Sequence, residues 1–217
     1  MIEVRRAAAR FETVQPGITT RHCFSAGVHY DPVNTAFGAL VALDEHLVAP
    51  GTGFARHPHR RVEILSWVLA GTLRHEDAAG RVELVRPGTV LHQTAGSGIE
   101  HVEGNASDAE LLRFVQLILR SDATAAGQLL GTPPVEAAGG QFSVLAQANG
   151  AELVAASFMH AYVAQGSVRV AGHDLSAGDS VRIRDAAAIV EGDGGVLVWR
   201  SGDRTPSSTS SLPVVHR

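Results

Sequence analysis

The stretch Gly51-Thr-Gly-Phe-Ala-Arg-His57-Pro-His59-Arg-Arg-Val-Glu63 carries two histidines separated by one residue. On an extended strand the side chains alternate between the two faces, so both imidazoles project to the same side. Pro58 restricts the backbone between them. The pair therefore predicts half of a metal site on a β-strand, with the other half supplied from elsewhere in the chain.

Short apolar segments surround this stretch and recur between Gly, Asp, Pro and Asn. They occupy residues 37–48, 62–69, 72–76, 82–85, 99–103 and 111–119. Many short strands with turn signals between them indicate a sandwich or a barrel. The sequence therefore predicts an all-β fold, with residues 123–130 as the best candidate for a short helix.

The strand pattern starts again after Gly131-Thr-Pro-Pro134. Val163-Ala-Gln-Gly166 resembles Val68-Leu-Ala-Gly71, and a second pair of segments around Gly178 and Gly88 shows the same likeness. Two copies of one β unit are implied. We therefore expect two domains, residues 1–132 and residues 133–217.

The two copies differ in their metal-binding potential. At the positions that correspond to His57 and His59, the second copy has Glu152 and Val154. We therefore expect a metal in the first copy and none in the second, which would complete the packing. The Ser/Thr/Pro-rich tail from Thr205 through Ser211 is expected to be loose.

A second pair of potential ligands, His101 and Glu103, follows the glycine-rich stretch Thr94-Ala-Gly-Ser-Gly98. The two side chains again share one face of a strand. Three imidazoles and one carboxylate suit a divalent transition metal, and a six-coordinate ion would keep two positions for substrate and dioxygen, or for water. Histidines in barrels also bond backbone carbonyls, but two such pairs in one all-β chain favour the metal site.

The neighbouring polar residues have weaker interpretations. Glu63 lies on the same face as His59 and could orient an imidazole or be a surface carboxylate. His92 could line a cavity beside the metal. Arg60 and Arg61 are interpreted as solvated charges in preference to an anion-attracting pair. No metal role is assigned to the remaining histidines, which include His46, His75 and His160.

The net charge of −4, from 18 basic and 22 acidic residues without a basic run, disfavours nucleic acid and anionic membranes as partners. The chain has no stretch of the roughly 20 apolar residues that a membrane helix needs. Its start lacks the features of a signal peptide. The sequence therefore predicts a cytoplasmic protein that does not bind DNA or membranes directly.

Taken together, these motifs resemble the pirin family of the cupin superfamily. The resemblance rests on His57-Pro-His59-Arg60 with Glu63, Val68-Leu69 with Gly71, Arg86-Pro-Gly88, and Thr94-Ala-Gly-Ser-Gly-Ile99 with His101 and Glu103. It implies a bicupin: two cupin-type β-barrels or sandwiches, the N-terminal one metal-binding and the C-terminal one degenerate.

The resemblance also implies one metal ion held by His57, His59, His101 and Glu103. Iron(II) is the expected metal, with nickel, zinc, copper or manganese as alternatives. Departures from the family pattern occur at Arg61-Val62, Thr89, His92 and Val102. They concern the pocket wall, so Arg60, Arg61, Val62 and His92 are where we expect substrate selection.

Pirins of this type are similar to quercetin 2,3-dioxygenases, which implies a small aromatic, flavonol-like substrate and O2, with Glu103 as general base. The alternative is a non-catalytic, redox-responsive regulator with a protein partner. A cupin isomerase or a purely structural bicupin is a third reading. A cavity that opens onto the metal would favour the enzyme, and an exposed patch beside it would favour the regulator.

Overall fold

The computed structural model describes residues 1–202 of the chain. In that range the regular structure is β-strand, apart from a three-residue 3-10 helix at Ala7–Ala9. The all-β prediction is confirmed. None of the helical structure in these residues is long and apolar enough to cross a membrane. The predicted loose tail from Thr205 through Ser211 lies outside the described residues.

In chain order the strands are β1 (Ile2–Arg5), β2 (Phe11–Gln15), β3 (Ile18–His22), β4 (Leu40–Val48), β5 (Gly53–His59), β6 (Val62–Ala70), β7 (Leu73–Asp77), β8 (Val82–Val85), β9 (Val90–Thr94), β10 (Ile99–Asn105), β11 (Leu112–Arg120), β12 (Gly127–Gly131), β13 (Val135–Ala137), β14 (Gly140–Leu145), β15 (Ala151–Ala156), β16 (Phe158–Gln165), β17 (Ser167–Val170), β18 (His173–Ser176), β19 (Ser180–Ile183), β20 (Ala186–Glu191) and β21 (Gly195–Ser201).

The described chain divides into two compact units. The first unit comprises residues 11–132, and the second combines residues 1–10 with residues 133–202. The first unit has a seven-stranded sheet in the order β12-β9-β6-β11-β4-β3-β2 and a four-stranded sheet in the order β5-β10-β7-β8. Its central strands β4, β6 and β11 are buried along almost their whole length.

Apolar side chains hold the first unit together in two clusters. One gathers around Leu73, Leu91 and Phe114, and the other around Ile64 and Ile118. All of these residues except Leu91 come from the apolar runs that predicted the strands; Leu91 lies on β9, which those runs did not include. Their removal from water supplies the main driving force for closing the sheets on each other.

The second unit repeats this plan. Its larger sheet contains β19-β16-β21-β14 in the order that β9-β6-β11-β4 has in the first unit, and its smaller sheet β15-β20-β17-β18 matches β5-β10-β7-β8. Gly71 and Gly166 occupy equivalent hairpin turns in the two units, with φ of 78° and 69°. The predicted pair of β units is thus confirmed. Strand β15 carries Glu152 and Val154 where β5 carries histidines.

The predicted division at residues 1–132 differs from the structure at the N-terminus. Strand β1 pairs antiparallel along β19, at the edge of the larger sheet of the second unit. The backbone N–H of Ala7 donates to the Asp179 carboxylate at 2.7 Å, and Arg6 forms an ion pair with the same group at 2.9 Å. The first ten residues belong to the second unit because they cover an edge that would otherwise be unpaired.

The short helix predicted at residues 123–130 is wrong. Strand β12 occupies Gly127–Gly131 and pairs antiparallel with β9. The ladder satisfies the backbone groups along that side of β9, and glycine at both ends of the segment disfavours a helix. Tertiary pairing therefore overrides a weak local preference.

Candidate metal centre

Three histidines meet where β5 and β10 lie side by side. His57 lies opposite His101 in the antiparallel register, and His59 lies opposite Ile99. One ring nitrogen from each of the three imidazoles lies within 4.8 Å of the other two. His59 and His101 are buried. The structure therefore brings together three of the four predicted ligands as one group.

Hydrogen bonds outside the group orient two of the rings. His57 Nδ1 lies 2.8 Å from the carbonyl oxygen of Ala55, which can only accept, so this nitrogen carries the hydrogen and Nε2 keeps a lone pair. The Gln93 amide nitrogen lies 2.8 Å from His75 Nε2 and donates to it. His101 Nδ1 lies 3.1 Å from the same nitrogen of His75, and this contact also orients the His101 ring.

His57 Nε2 and His101 Nε2 face each other at a distance of 2.9 Å. One cation can bind both nitrogens when neither of them carries a hydrogen. Two imidazoles that bind one ion at about 2.1 Å and at right angles place their nitrogens about 3 Å apart. The spacing therefore fits a shared transition-metal ion.

The protonation state of His101 also suits a metal ligand. Burial, and then the repulsion that His57 and His75 exert when they are protonated, lower the pKa of His101 from 6.5 to about 2. The ring is therefore neutral near pH 7, which is the form that coordinates a metal.

Glu103 lies beside the three rings, with Oε2 3.7 Å from His101 Nε2. Its carboxylate is buried and accepts hydrogen bonds from the Gln116 side-chain amide at 3.1 and 3.0 Å. Ser66 Oγ donates to the same carboxylate at 3.4 Å. These donors fix the direction of the carboxylate. The centre thus offers three imidazoles and an oriented carboxylate, a donor set that fits one divalent transition metal.

A β-bulge shapes the strand that carries the first pair. His101 lies opposite His57, but two residues further along β10, Glu103 lies opposite Phe54, three residues back along β5. The extra residue shifts the alternation of side chains. As a result, Phe54 and His57 both line the same cavity although they are three positions apart.

A cavity of about 510 Å³ opens onto this centre. Its lining comprises Thr13, Gln15, Thr20, His22, Ala26, Gly27, Val28, His46, Gly53, Phe54, Ala55, Arg56, His57, His59, Glu103, Gln116 and Ile118. The volume falls in the usual range for small-molecule sites, and the lining mixes apolar groups with a few polar ones. A metal held here would be within reach of a small organic ligand.

The residues predicted to line the pocket lie elsewhere. Of the described residues that line the cavity, none is Arg60, Arg61, Val62 or His92. Both arginines are exposed, as expected for solvated charges, and Val62 belongs to an apolar cluster. The cavity in front of the histidines does not include these positions, which lie on β6, on β9 or in the turn before β6. Arg60 lines a second cavity together with His59.

Glu63 is buried and is not a surface carboxylate. It accepts from Ser121 Oγ at 2.7 Å and lies 2.8 Å from His92 Nε2. It therefore orients an imidazole, as one of the two interpretations predicted. That imidazole belongs to His92 and not to a predicted metal ligand.

Four polar residues near the site were not singled out by spacing: Gln116, Ser66, His75 and His46. Gln116 and Ser66 interrupt otherwise apolar strands, and such interruptions require a buried partner. That signal was available in the sequence. The pairing of His75 with His101 depends on which strands are neighbours, which the sequence does not show.

Comparison with known proteins identifies a matching family and several relatives. Residues 2–119 match the family model described as Pirin. A Mycobacterium tuberculosis protein with the provisional name quercetin 2,3-dioxygenase is 37% identical over 229 aligned residues, which cover 91% of this chain and 94% of that protein. The Escherichia coli K12 quercetin 2,3-dioxygenase is 38% identical over 117 residues, which cover 54% of this chain and 51% of that protein.

Solved structures give the same picture. The crystal structure of the bacterial pirin YhhW from Escherichia coli in complex with nickel(II) matches with a TM-score of 0.86 and 26% identity, covering 94% of this chain and 100% of that one. A quercetin 2,3-dioxygenase from Acinetobacter baumannii matches with a TM-score of 0.71 and 20% identity, covering 93% and 79%. At that identity the second match supports the fold alone.

Proposed function

This chain belongs to the pirin family, and on that premise we propose that it is a metal-dependent dioxygenase that opens the ring of a flavonol-like enol with O2. The observation that carries the proposal is the cavity of about 510 Å³ lined by His57, His59 and Glu103, behind which His101 converges with the other two histidines. Relatives named quercetin 2,3-dioxygenase support the substrate class.

We propose that His57, His59, His101 and Glu103 hold the metal, and that it is iron(II) in the cell. The nickel(II) complex of the Escherichia coli pirin supports a divalent ion without fixing its identity. When bound, such an ion supplies a Lewis acid for the enol oxygen and a redox centre for the reaction with O2.

Glu103 is the proposed general base. Its carboxylate lies beside the three imidazoles and lines the cavity, so it can take the proton of a flavonol 3-hydroxyl when it leaves the metal or is only loosely bound to it. Gln116 and Ser66 donate to the carboxylate and hold it in position for that transfer. Phe54 and Ile118 give the cavity an apolar wall against which a flat ring can pack while water is excluded.

The alternative, a redox-responsive regulator, needs an exposed surface beside the metal. The buried positions of His59, His101 and Glu103, and the cavity in front of them, support the enzyme instead. A cupin isomerase or a structural bicupin has no comparable observation in its favour.

The test is turnover of quercetin by protein loaded with iron(II) or nickel(II) under air, followed as loss of flavonol absorbance. We expect turnover above that of free metal, and a His101→Ala variant should lose both bound metal and activity. His173→Ala, on an exposed strand of the second unit, is the matched control. The absence of turnover by every metallated form would overturn the substrate assignment.

A further inference from the structure

One wall of the cavity contains a buried imidazole that the proposed reaction does not use. His46 lies on β4, is 5% exposed and lines the cavity. Its Nδ1 lies 2.9 Å from Thr20 Oγ1. Among the described residues, Nε2 has no hydrogen-bond partner, and it is shielded from solvent. A buried polar atom on a cavity wall without a protein partner points to a ligand group that completes it.

The other imidazole of this wall, that of His22, has no nitrogen without a partner among the described residues. His22 also lines the cavity, but its Nε2 lies 2.9 Å from Thr13 Oγ1 and its Nδ1 lies 3.0 Å from Asp44 Oδ1. Both of its nitrogens therefore have protein partners. This contrast singles out His46.

The surroundings of His46 define the chemistry of the group that it would bind. Its ring packs edge-on against Phe54 at 5.1 Å and lies tilted against Phe114 at 4.6 Å, measured between centroids. Burial lowers the pKa of His46 from 6.5 to about 4, so the ring is neutral near pH 7 and does not attract an anion. Aromatic neighbours favour a flat aromatic ligand.

A hydroxyl group meets the hydrogen-bonding requirement of either tautomer. If Thr20 donates to Nδ1, then Nε2 carries a hydrogen and donates; if Nδ1 donates to Thr20, then Nε2 accepts. A hydroxyl can act in both ways, whereas a carboxylate could only accept. A phenolic hydroxyl combines this group with the flat ring.

The position of His46 relative to the metal centre suits such a ligand. Phe54 packs against His46 and also lies 6.4 Å from the ring of His57, measured between centroids. A planar molecule of several rings that binds at the histidine group can therefore extend over Phe54 to reach His46.

We propose that His46 is a specificity-determining residue that binds a phenolic hydroxyl on the aromatic part of the substrate, away from the enol at the metal. The proposal rests on the proposed function, since it assigns a second anchor to the same flavonol-like ligand. It predicts that flavonols with phenolic hydroxyls in addition to the 3-hydroxyl bind more tightly than flavonols that have the 3-hydroxyl alone.

The experiment measures equilibrium binding, in the absence of O2, to the full-length nickel(II)-loaded protein. The probes are quercetin, which has ring hydroxyls, and 3-hydroxyflavone, which has only the enol hydroxyl. We expect His46→Phe to weaken quercetin binding about tenfold and to leave 3-hydroxyflavone binding within about threefold, because one hydrogen bond is lost. His173→Phe, the same substitution at an exposed position of β18 in the second unit, should change neither affinity.

His46→Leu and His46→Gln keep the test decisive if the phenylalanine variant does not fold. The leucine variant should show the same selective loss, and the glutamine variant should retain part of the preference because its amide can donate and accept. Equal losses for both probes, or no loss for quercetin, would overturn the role of His46. So would failure of both flavonols to bind the wild-type protein.

Turnover under air is recorded separately from binding. Selective binding without turnover would support His46 as an anchor while overturning the proposed dioxygenase reaction. Turnover without selective loss in the His46 variants would overturn the anchor alone.

Discussion

At the scale of single residues, the carboxylate of Glu103 depends on a neighbour from another strand. The Gln116 amide nitrogen lies 3.1 and 3.0 Å from its two oxygens and 3.1 Å from Ser66 Oγ. Partners of this kind set the direction of a ligand or base without touching the metal. Gln116 is therefore a positioning residue for Glu103.

Replacement of Gln116 by leucine should lower nickel(II) affinity by about 10- to 100-fold, since the carboxylate loses the donor that orients it. The measurement is competition with a chromophoric chelator on folded protein, with thermal unfolding recorded in parallel. Gln147→Leu, at an exposed position of the second unit, should have no effect on affinity. Unchanged affinity in Gln116→Leu would contradict the positioning role.

The spacing of His57 with His59 and of His101 with Glu103 was enough to predict a common centre, because period-two alternation fixes the face of each side chain. Period alone does not say which strand lies opposite. His75 and His46 were missed for that reason, and His92 was given a place in the cavity wall that it does not have.

At the scale of secondary-structure elements, the site depends on the close approach of β5 to β10. A Cβ atom on Gly53 would lie 2.6 Å from the Glu103 carbonyl oxygen and 2.6 Å from Gly104 Cα. Real side chains do not pack at such distances against backbone, so the two strands can approach this closely only with glycine here. They are the strands that carry the four predicted ligands.

Gly53→Ala should therefore force β5 and β10 apart. We expect a destabilisation on the order of 1–3 kcal/mol, with a lower thermal midpoint by calorimetry, and a weaker nickel(II) affinity by titration. Gly127→Ala is the matched control, because a Cβ atom there meets nothing within 4 Å. Equal behaviour of the two variants would show that the close approach is not required.

The positions of β4, β6, β7, β8, β10 and β11 followed from the apolar runs and turn signals, since short apolar runs bounded by turn residues are typical of strands. The helix predicted at residues 123–130 failed because the edge of β9 recruits that segment as β12. The bulge in β5 could not be predicted, since the register of a pair depends on both strands at once.

At the scale of the whole molecule, the stability of the chain is linked to pH through a buried histidine in the second unit. His160 pairs in register with Arg182 on one side and Trp199 on the other. Burial, and then the charges of Arg182 and Arg5, hold the pKa of His160 well below 6.5. Below about pH 6.5 the unfolded chain takes up a proton that the folded chain does not.

The contribution of His160 is therefore fully present above about pH 6.5 and is lost as the pH falls, by up to about 1.4 kcal/mol per pH unit. His160→Gln should reduce the pH dependence of the unfolding free energy, measured by urea denaturation between about pH 7 and about pH 5. His173→Gln, at an exposed position, should leave it unchanged. Identical slopes for wild type and His160→Gln would contradict the linkage.

The weak internal repeat was enough to predict two β units, and the matching sheet orders confirm it. The assignment of residues 1–10 to the second unit was beyond the sequence, because β1 pairs with a strand far along the chain. Which strands become neighbours depends on sheet edges that need a pairing partner, and local sequence patterns do not show this.

Because of the extra residue in β5, the number of residues between Phe54 and His57 affects the shape of the cavity. Because the bulge turns Phe54 and His57 to the same side, deletion of one residue between them would keep every coordinating group and rotate the aromatic wall outward. Relatives can thus diverge in substrate range through an insertion or deletion that leaves all four predicted ligands intact. Alignments of such proteins carry information in the spacing between these two positions as well as in their identities.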